Sequence, residues 1–373
     1  MIISIVMLRN EADILPTWLH HMAALCDRIF VVDHLSTDGS SEILHGFASA
    51  GMPIRVWRME EPGYWQSAVT TELARHAFQS GADWILPFDV DEFLEIESKE
   101  ALQGALDRQK NPLGFWRWRH AVPVRQSLTT GKIDWPSPEL LANPDFAPAN
   151  GGKIVLHRAV SQRLPAFRLG SGNHLLHGLP FAKAIRGEAM GALWHLPVRS
   201  RGQIIRKLRR DVASHANSRA ASLPELEGAG RLKQQLLDRI ENDADDMKVL
   251  QRVGLGYGEI GIRCLDDPDL LARAVSVSPK FVMAHISELP SHYAVNYDDE
   301  ATTNSQAKTD LALAKARLLN ESVAIKSENF WPYFLFHLEN ILGRYFTPGL
   351  RLARFISTQF VAWRLNMRVG SKN

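Results

Sequence analysis

Apolar and polar positions alternate in blocks over the first hundred residues. Ile2 to Met7 is a continuous apolar run rich in β-branched side chains, and Ala12 to Leu25 carries Ile14, Trp18, Met22 and Leu25 at helical spacing. A strand followed by a helix is predicted. The pattern repeats: Arg28 to Val32, Ile54 to Trp57 and Trp84 to Phe88 read as strands, with helices over Ser40 to Ser49 and Gln66 to Gln79. Strands apolar along their whole length are buried on both faces, and right-handed crossovers then place helices on each side of an open sheet. The predicted fold class is therefore α/β, a Rossmann-like, open, mainly parallel sheet. After residue 200 the spacing turns helical, with helices predicted over Gln203 to Ala216, Glu227 to Val253 and Ala307 to Lys326. Residues 1–215 are expected to form the α/β domain and 216–373 a helical C-terminal region.

Open parallel sheets bind ligands at the carboxyl ends of their strands. That rule selects Arg9, Asn10 and Glu11; Asp33 and His34 with Ser36 to Ser40; Arg58 to Glu61; and Asp89, Asp91 and Glu92. Asp89 and Asp91, at i and i+2, turn to one point if Val90 bends away. Two carboxylates so placed make a hard oxygen site for Mg²⁺ or Mn²⁺ that bridges to a diphosphate. The plain alternative is that these acids only solvate a strand end. Gln66, which opens the helix after the third strand, faces the same loops and is a further donor contact. Asp38 reads as a helix cap for the segment beginning near Ser40.

Composition narrows the classes. With 45% apolar and 23% charged residues in 373, the chain has the make-up of a soluble globular protein. A net charge of +2 provides no broad field for nucleic acid, so no nucleic-acid partner is expected and anion recognition must be local. Cys26 and Cys264 form no CxxC pair, which argues against a disulfide framework or zinc knuckle and fits a reducing, cytoplasmic setting. The opening apolar run of about seven residues is shorter than a secretory core, and no stretch reaches the ~20 apolar residues of a membrane span. A soluble or peripheral protein is expected.

Three motifs in order carry a resemblance: Arg9-Asn10-Glu11 after the first strand, VVDHLSTDGS from Val31 to Ser40 after the second, and DVDEF from Asp89 to Phe93. The stretch WHLPVRSRGQIIRKLRRD, Trp194 to Asp211, adds a His-bearing strand, an R-S pair and a Lys-bearing helix. Over residues 1 to about 215 the chain resembles glycosyltransferase family 2, with its GT-A fold, in the DVDEF subgroup related to family 92. The resemblance implies that Asn10, Glu11 and Asp33 hold the nucleoside, while Asp89 and Asp91 meet a Mn or Mg ion and the diphosphate. Many members have a second acid where His34 stands here. The implied activity is inverting, metal-dependent transfer of a sugar from a nucleotide-sugar donor to a glycan or lipid-linked acceptor, as in polysaccharide biosynthesis. A noncatalytic nucleotide-binding module and a Mg-dependent phosphohydrolase are the alternatives.

Glycosyl transfer also needs a base for the acceptor hydroxyl. Asp134, Glu139, Asp145 and Glu188, with His174, are candidates, and spacing selects none of them. His195, at the end of the GALW run, reads either as a satisfied half-buried residue or as a metal ligand, and His174 in its Gly-flanked loop is a second metal candidate. Tyr64, Trp65, Trp116 and Trp118 suit a sugar ring or the core. The basic run RKLRR reads as a phosphate contact or a solvated face. GLGYGEIG, 254 to 261, follows a helix and so is not a phosphate cradle. RLARFISTQFVAWRLNMR, Arg351 to Arg368, is amphipathic with a basic face; it docks on the protein's own core or gives peripheral membrane contact through residues 349–373.

Overall fold

The computed structural model describes residues 1–60, 62–63, 65–142, 152–177, 189–220, 227–242, 247–257, 267 and 269–284. Strands β1 (Ile2–Leu8), β2 (Arg28–His34), β3 (Ile54–Met59) and β4 (Trp84–Leu86) form a parallel sheet in the order β3-β2-β1-β4. Helices α1 (Leu15–Leu25), α2 (Ser40–Ser49) and α3 (Gln66–Gln79) connect them. The strand–helix alternation of the sequence is thus present, with two shifts. β2 pairs with β3 through His34, so Asp33 and His34 end the strand instead of following it. β4 stops at Leu86, because Pro87 has no N–H to continue the ladder.

Alternation along β1 sends its side chains into two cores. Ile2, Val6 and Leu8 pack with Trp18, Leu19, Leu44 and Phe47 of α1 and α2, whereas Ile3 and Ile5 pack with Val69, Leu73 and Ala77 of α3. Each such buried aliphatic side chain contributes roughly 1.5–3 kcal/mol. α1 therefore owes its place to packing more than to propensity, and Pro16 in its first turn loses no hydrogen bond that the helix could have made.

The rest of the sheet is mixed. After β4 come β5 (Glu92–Leu94), α4 (Lys99–Asp107), β6 (Leu113–Pro123), α5 (Arg125–Thr130), β7 (Leu140–Ala142), β8 (Gly152–His157) and α6 (Ala159–Arg163). Then follow β9 (Arg168–Leu169), β10 (Leu176–His177), β11 (Ala192–His195), α7 (Arg201–Ala220), α8 (Glu227–Asn242), α9 (Met247–Leu255) and β12 (Val275–Val277). β8 joins β4 and β6 antiparallel, and β11 runs parallel to β6 and antiparallel to β5. Gly152 lets β8 close on β6. Its φ is 148°, and a Cβ there would lie 1.9 Å from the Trp116 carbonyl oxygen. On β6, Trp116, Trp118 and His120 are buried while Arg117 and Arg119 are exposed, the period of two seen in the sequence.

The long helix expected over 227–253 is two helices, α8 and α9, with 243–246 outside the described residues. Leu208, Leu236, Ile240, Leu250 and Val253 of α7, α8 and α9 share a third core with Val122 and Leu128. The boundary expected at 215 falls within α7. The helix expected over 307–326, the amphipathic segment 349–373 and Cys264 lie outside the described residues. Among the described residues no helix is long and apolar enough to cross a membrane.

Candidate active site

The loops after β1 and β2 are stitched to each other. Asn10, at φ 56°, donates its amide to Ser36 Oγ (2.9 Å) and accepts the Thr37 amide at Oδ1 (2.7 Å). The Glu11 amide meets Ser40 Oγ at 3.0 Å, and the Ala12 amide meets Asp38 Oδ2 at 3.0 Å. Asp38 also accepts the Ser40 amide (3.1 Å), the first of α2, but the N-cap position expected of it belongs to Gly39, at φ 95°, and Asp38 stands one residue before it. Asp33 is buried. Its carboxylate accepts the Ser36 amide (3.2 Å) and the Ser41 hydroxyl, so it closes its own loop.

The D-x-D segment lies between the end of β4 and the start of β5, and its two acids diverge. Asp89 accepts Gln66 Nε2 at Oδ1 (3.0 Å) and Lys153 Nζ at Oδ2 (2.6 Å). Gln66 in turn accepts the Gly172 amide (3.0 Å), which fixes its orientation. Asp91 Oδ2 accepts Lys207 Nζ at 2.5 Å and lies 3.6 Å from His195 Nε2. Glu92, between them, accepts the Asp89 amide (2.8 Å) and Trp118 Nε1 (2.8 Å), with Lys153 Nζ 3.2 Å away. The acids were expected to turn to one point; the structure instead gives each its own lysine. The physical reason is desolvation, because a carboxylate in this interior must find an opposite charge.

A guanidinium ties the first loop to a segment 188 residues later in the chain. Arg199 donates from Nη2 to Glu11 Oε2 (2.5 Å) and, through Nε and Nη2, to both oxygens of Asp13 (2.7 and 2.9 Å). Arg210 donates from Nη1 to the Arg9 carbonyl oxygen. These pairs move the ionisation of the groups. Burial opposes charge on Asp91, but Lys207, His195 and Arg199 outweigh it and hold the carboxyl well below its usual range. Burial pushes Glu92 up to about 8; Lys153 opposes this, while Asp89 and Asp91 add to it. Lys153 is desolvated too, yet Asp89 and Glu92 raise it above an ordinary lysine and keep it charged.

The two candidate histidines separate. His195 stacks on Trp118 (4.6 Å between ring centres, 14°) and hydrogen-bonds His120 through Nδ1 (2.9 Å). Burial lowers the pKa of both imidazoles, with Asp91 opposing the shift. His174 meets the Gly152 carbonyl at 2.7 Å and the edge of Trp118. Trp116 and Trp118 are buried, which assigns both to the core and not to a sugar. Asp134 and Glu139 are exposed between α5 and β7, and neither bonds to the strand-end acids. Asp145, Glu188 and Tyr64 lie outside the described residues.

No three His, Cys, Asp or Glu side chains among the described residues form a metal-binding group. One oxygen of each acid, Asp89 Oδ2 and Asp91 Oδ2, already holds an ammonium group, and Asp89 Oδ1 holds the Gln66 amide, so a Mn or Mg ion on this pair would stand beside two lysines, a donor set that does not favour a divalent cation. The residues that sequence reasoning passed over are mostly cations. Lys153, the one charged residue in the GKIVL strand start, is a visible anomaly there. Lys207, in the run read as a phosphate contact or a solvated face, is not solvated: it pairs with Asp91 and lines the cavity beside the cluster.

A cavity of about 240 Å³ opens beside this cluster, lined by Asn10, Ala12, Asp13 and Asp38 of the first two loops and by Gln203, Arg206, Lys207 and Arg210 of α7. An open α/β sheet with a cation-lined cleft at the carboxyl ends of its parallel strands is the architecture of a protein that binds nucleotides or other phosphates. Residues 4–142, which span β1 to β7 and all three strand-end motifs, match the model of the family described as Glycosyl transferase family 2. Over that stretch the chain is similar to glycosyltransferase family 2. No curated protein matches the chain. Among solved structures, a mannosyltransferase from Pyrobaculum calidifontis in complex with GDP-Man and Mn²⁺ is similar at a TM-score of 0.37 and 13% identity, over 73% of this chain and 85% of that one. A putative glucose-1-phosphate thymidylyltransferase from Bacillus anthracis, in complex with sucrose, is similar at 0.27 and 12%, over 44% and 76%. Both likenesses are distant, and neither bears on the chemistry.

Proposed function

We propose that the protein transfers a sugar, with inversion, from a nucleotide-sugar donor to a glycan or lipid-linked acceptor. One observation carries the reading: the cleft that unites the N-E loop, the loop after β2 and the cations of α7 lies at the strand ends of the family 2-like segment. Departure of a nucleoside diphosphate builds negative charge, and fixed cations in a water-poor cleft meet that charge at little reorganisation cost. Arg206, Lys207 and Arg210 stand ready for this task. Asn10 and the loop after β2, locked together by four amide bonds, supply a rigid rim for the nucleoside. The acceptor's base comes from outside the ion-paired set, because Asp89, Asp91 and Glu11 are each bound to a cation.

Incubation with a panel of nucleotide sugars, followed by chromatography for released nucleoside diphosphate, tests the reading. The expected result is slow donor hydrolysis of one or two panel members, faster when the acceptor is added. If no nucleotide sugar is turned over, with or without Mn²⁺ and with extracts of glycans and lipid-linked sugars present, the transferase reading is wrong.

A further inference from the structure

The D-x-D acids are neutralised from inside the protein. Lys153 Nζ sits 2.6 Å from Asp89 and 3.2 Å from Glu92, and its side chain is fully buried. Lys207 Nζ sits 2.5 Å from Asp91 and 3.9 Å from Glu11, with its side chain 14% exposed to the cleft. A divalent ion needs carboxylate oxygens at about 2.0–2.6 Å. Held on these oxygens, it would stand within contact distance of two ammonium groups. Two like unit charges about 4 Å apart repel by about 4 kcal/mol at an effective dielectric of 20, and a divalent ion doubles this for each lysine. Even on the other two oxygens the ion would stand close to both ammonium groups, and Lys153, fully buried, has no solvent to move into.

On its open side Lys207 faces the cavity together with Arg206 and Arg210. Arg206 is exposed and among the described residues forms no ion pair, so its charge is available to a ligand. Arg9 Nε, whose residue accepts Arg210 at its carbonyl, is buried and has no hydrogen-bond partner among the described residues. An exposed guanidinium beside two further cations at one cleft calls for an anion with several oxygens.

Building on the transferase reading above, we propose that the donor's diphosphate is held without a divalent ion, by Lys207, Arg206 and Arg210, while Asp89 and Asp91 act as positioning residues for Lys153 and Lys207. The D-x-D triplet in this chain then orders cations of the protein itself and does not recruit one from solution. The diphosphate approaches the exposed side of Lys207, opposite the carboxylate that aims it.

Two measurements on the full-length protein decide this. Inorganic pyrophosphate is titrated calorimetrically in EDTA, and Mn²⁺ alone is titrated with electron paramagnetic resonance detection of the free ion. Pyrophosphate should bind in EDTA, Arg206→Ala should weaken it at least threefold and Lys207→Met at least tenfold. Wild type should leave the free Mn²⁺ signal undiminished, and Lys207→Met, by freeing Asp91, should gain Mn²⁺ binding. Arg206 is exposed, so its variant reports on binding even if Lys207→Met fails to fold. Absence of pyrophosphate binding in EDTA, an unchanged affinity in Arg206→Ala, or Mn²⁺ binding by wild type that Asp91→Asn abolishes would each overturn the proposal. Pyrophosphate binding in EDTA without turnover of any nucleotide sugar leaves this inference standing and removes the transferase reading; turnover that EDTA abolishes does the reverse.

Discussion

The acids and the cations of the site come from different parts of the chain. Glu11, Asp33, Asp89, Asp91 and Glu92 all lie before residue 93, at or near the ends of β1, β2 and β4, whereas Lys153, Arg199, Lys207 and Arg210 come from β8, the segment after β11 and α7. The first set is placed by local sequence: an apolar strand ends and a polar loop begins. The second set is placed only by the fold, because β8 must slot between β4 and β6, and α7 must lie across the strand ends. Exposure differs in the same sense. Asp89 keeps 29% of its side chain in solvent, while its partner Lys153 keeps none. Reading the acids alone therefore leaves out the cations that pair with them and gives a charge balance of the wrong sign for the pocket.

Removal of one member of a buried pair is the hardest test of this contrast. Lys153→Met keeps the stem that packs toward Trp118 but leaves Asp89 and Glu92 without their ammonium, and such losses cost about 3–5 kcal/mol. Urea unfolding should show this as a large drop in midpoint. Adding Asp89→Asn to Lys153→Met should return part of the loss, since the two changes touch one interaction and do not add. A Lys153→Met protein that unfolds at the wild-type urea concentration would break the claim that the later cations are structural partners of the earlier acids.

Legibility follows the same division. Periodicity gave β1, β2, β3, α1, α2 and α3 to within a few residues, because each is a run whose burial repeats on one face or both. It missed β5, β7, β9, β10 and β12, strands of two or three residues, and the longer β8, because their pairing is decided by distant partners. Gln66, chosen because α3 opens toward the loops, does bond Asp89. Lys153 carried a local signal, a charge inside a buried strand start, but its partner's identity needed the β4–β8 register. Lys207 carried none that separates it from Arg206 or Arg209: neighbouring positions on one helix differ only in which side meets the sheet.

A second prediction concerns a group of the early half fixed by a late segment. His21 on α1 is fully buried, donates Nδ1–H to the Val282 carbonyl (2.8 Å) and accepts the Leu94 amide at Nε2 (3.0 Å), which only the neutral ring can do. Burial lowers its pKa from 6.5 to about 4, with the Val282 bond opposing. The folded-state value is depressed, so the stabilisation is complete above pH 6.5 and is lost as pH falls toward 4, where the unfolded chain takes up a proton that the folded one refuses. The loss amounts to about 3 kcal/mol across that window. Urea midpoints at pH 7, 5.5 and 4.5 should fall in wild type and fall less steeply in His21→Gln. Parallel pH profiles for the two proteins would show that the imidazole is not the titrating group.

The smallest effect is expected where an acid serves only its own neighbourhood. Asp38 lines the cleft, yet its oxygens accept the Ala12 amide, the Ser40 amide and the Ser40 hydroxyl (2.6 Å), all within the first two loops. Among the described residues no cation from the late half forms an ion pair with it. Its role is therefore local: it satisfies a free amide at the start of α2 and draws the loop after β1 against the loop after β2. Asp38→Ala should cost about 1 kcal/mol, the usual worth of a side chain that holds an amide at a helix start. Asp38→Asn should cost less, because an amide oxygen can still accept one of the two backbone donors. Pyrophosphate affinity in EDTA should stay within about twofold in both variants, or rise slightly in Asp38→Ala as a negative charge leaves the cavity wall. A tenfold fall in that affinity, with stability unchanged, would mean that the early acids hold the ligand themselves, and the division of labour between the two halves of the chain would have to be redrawn.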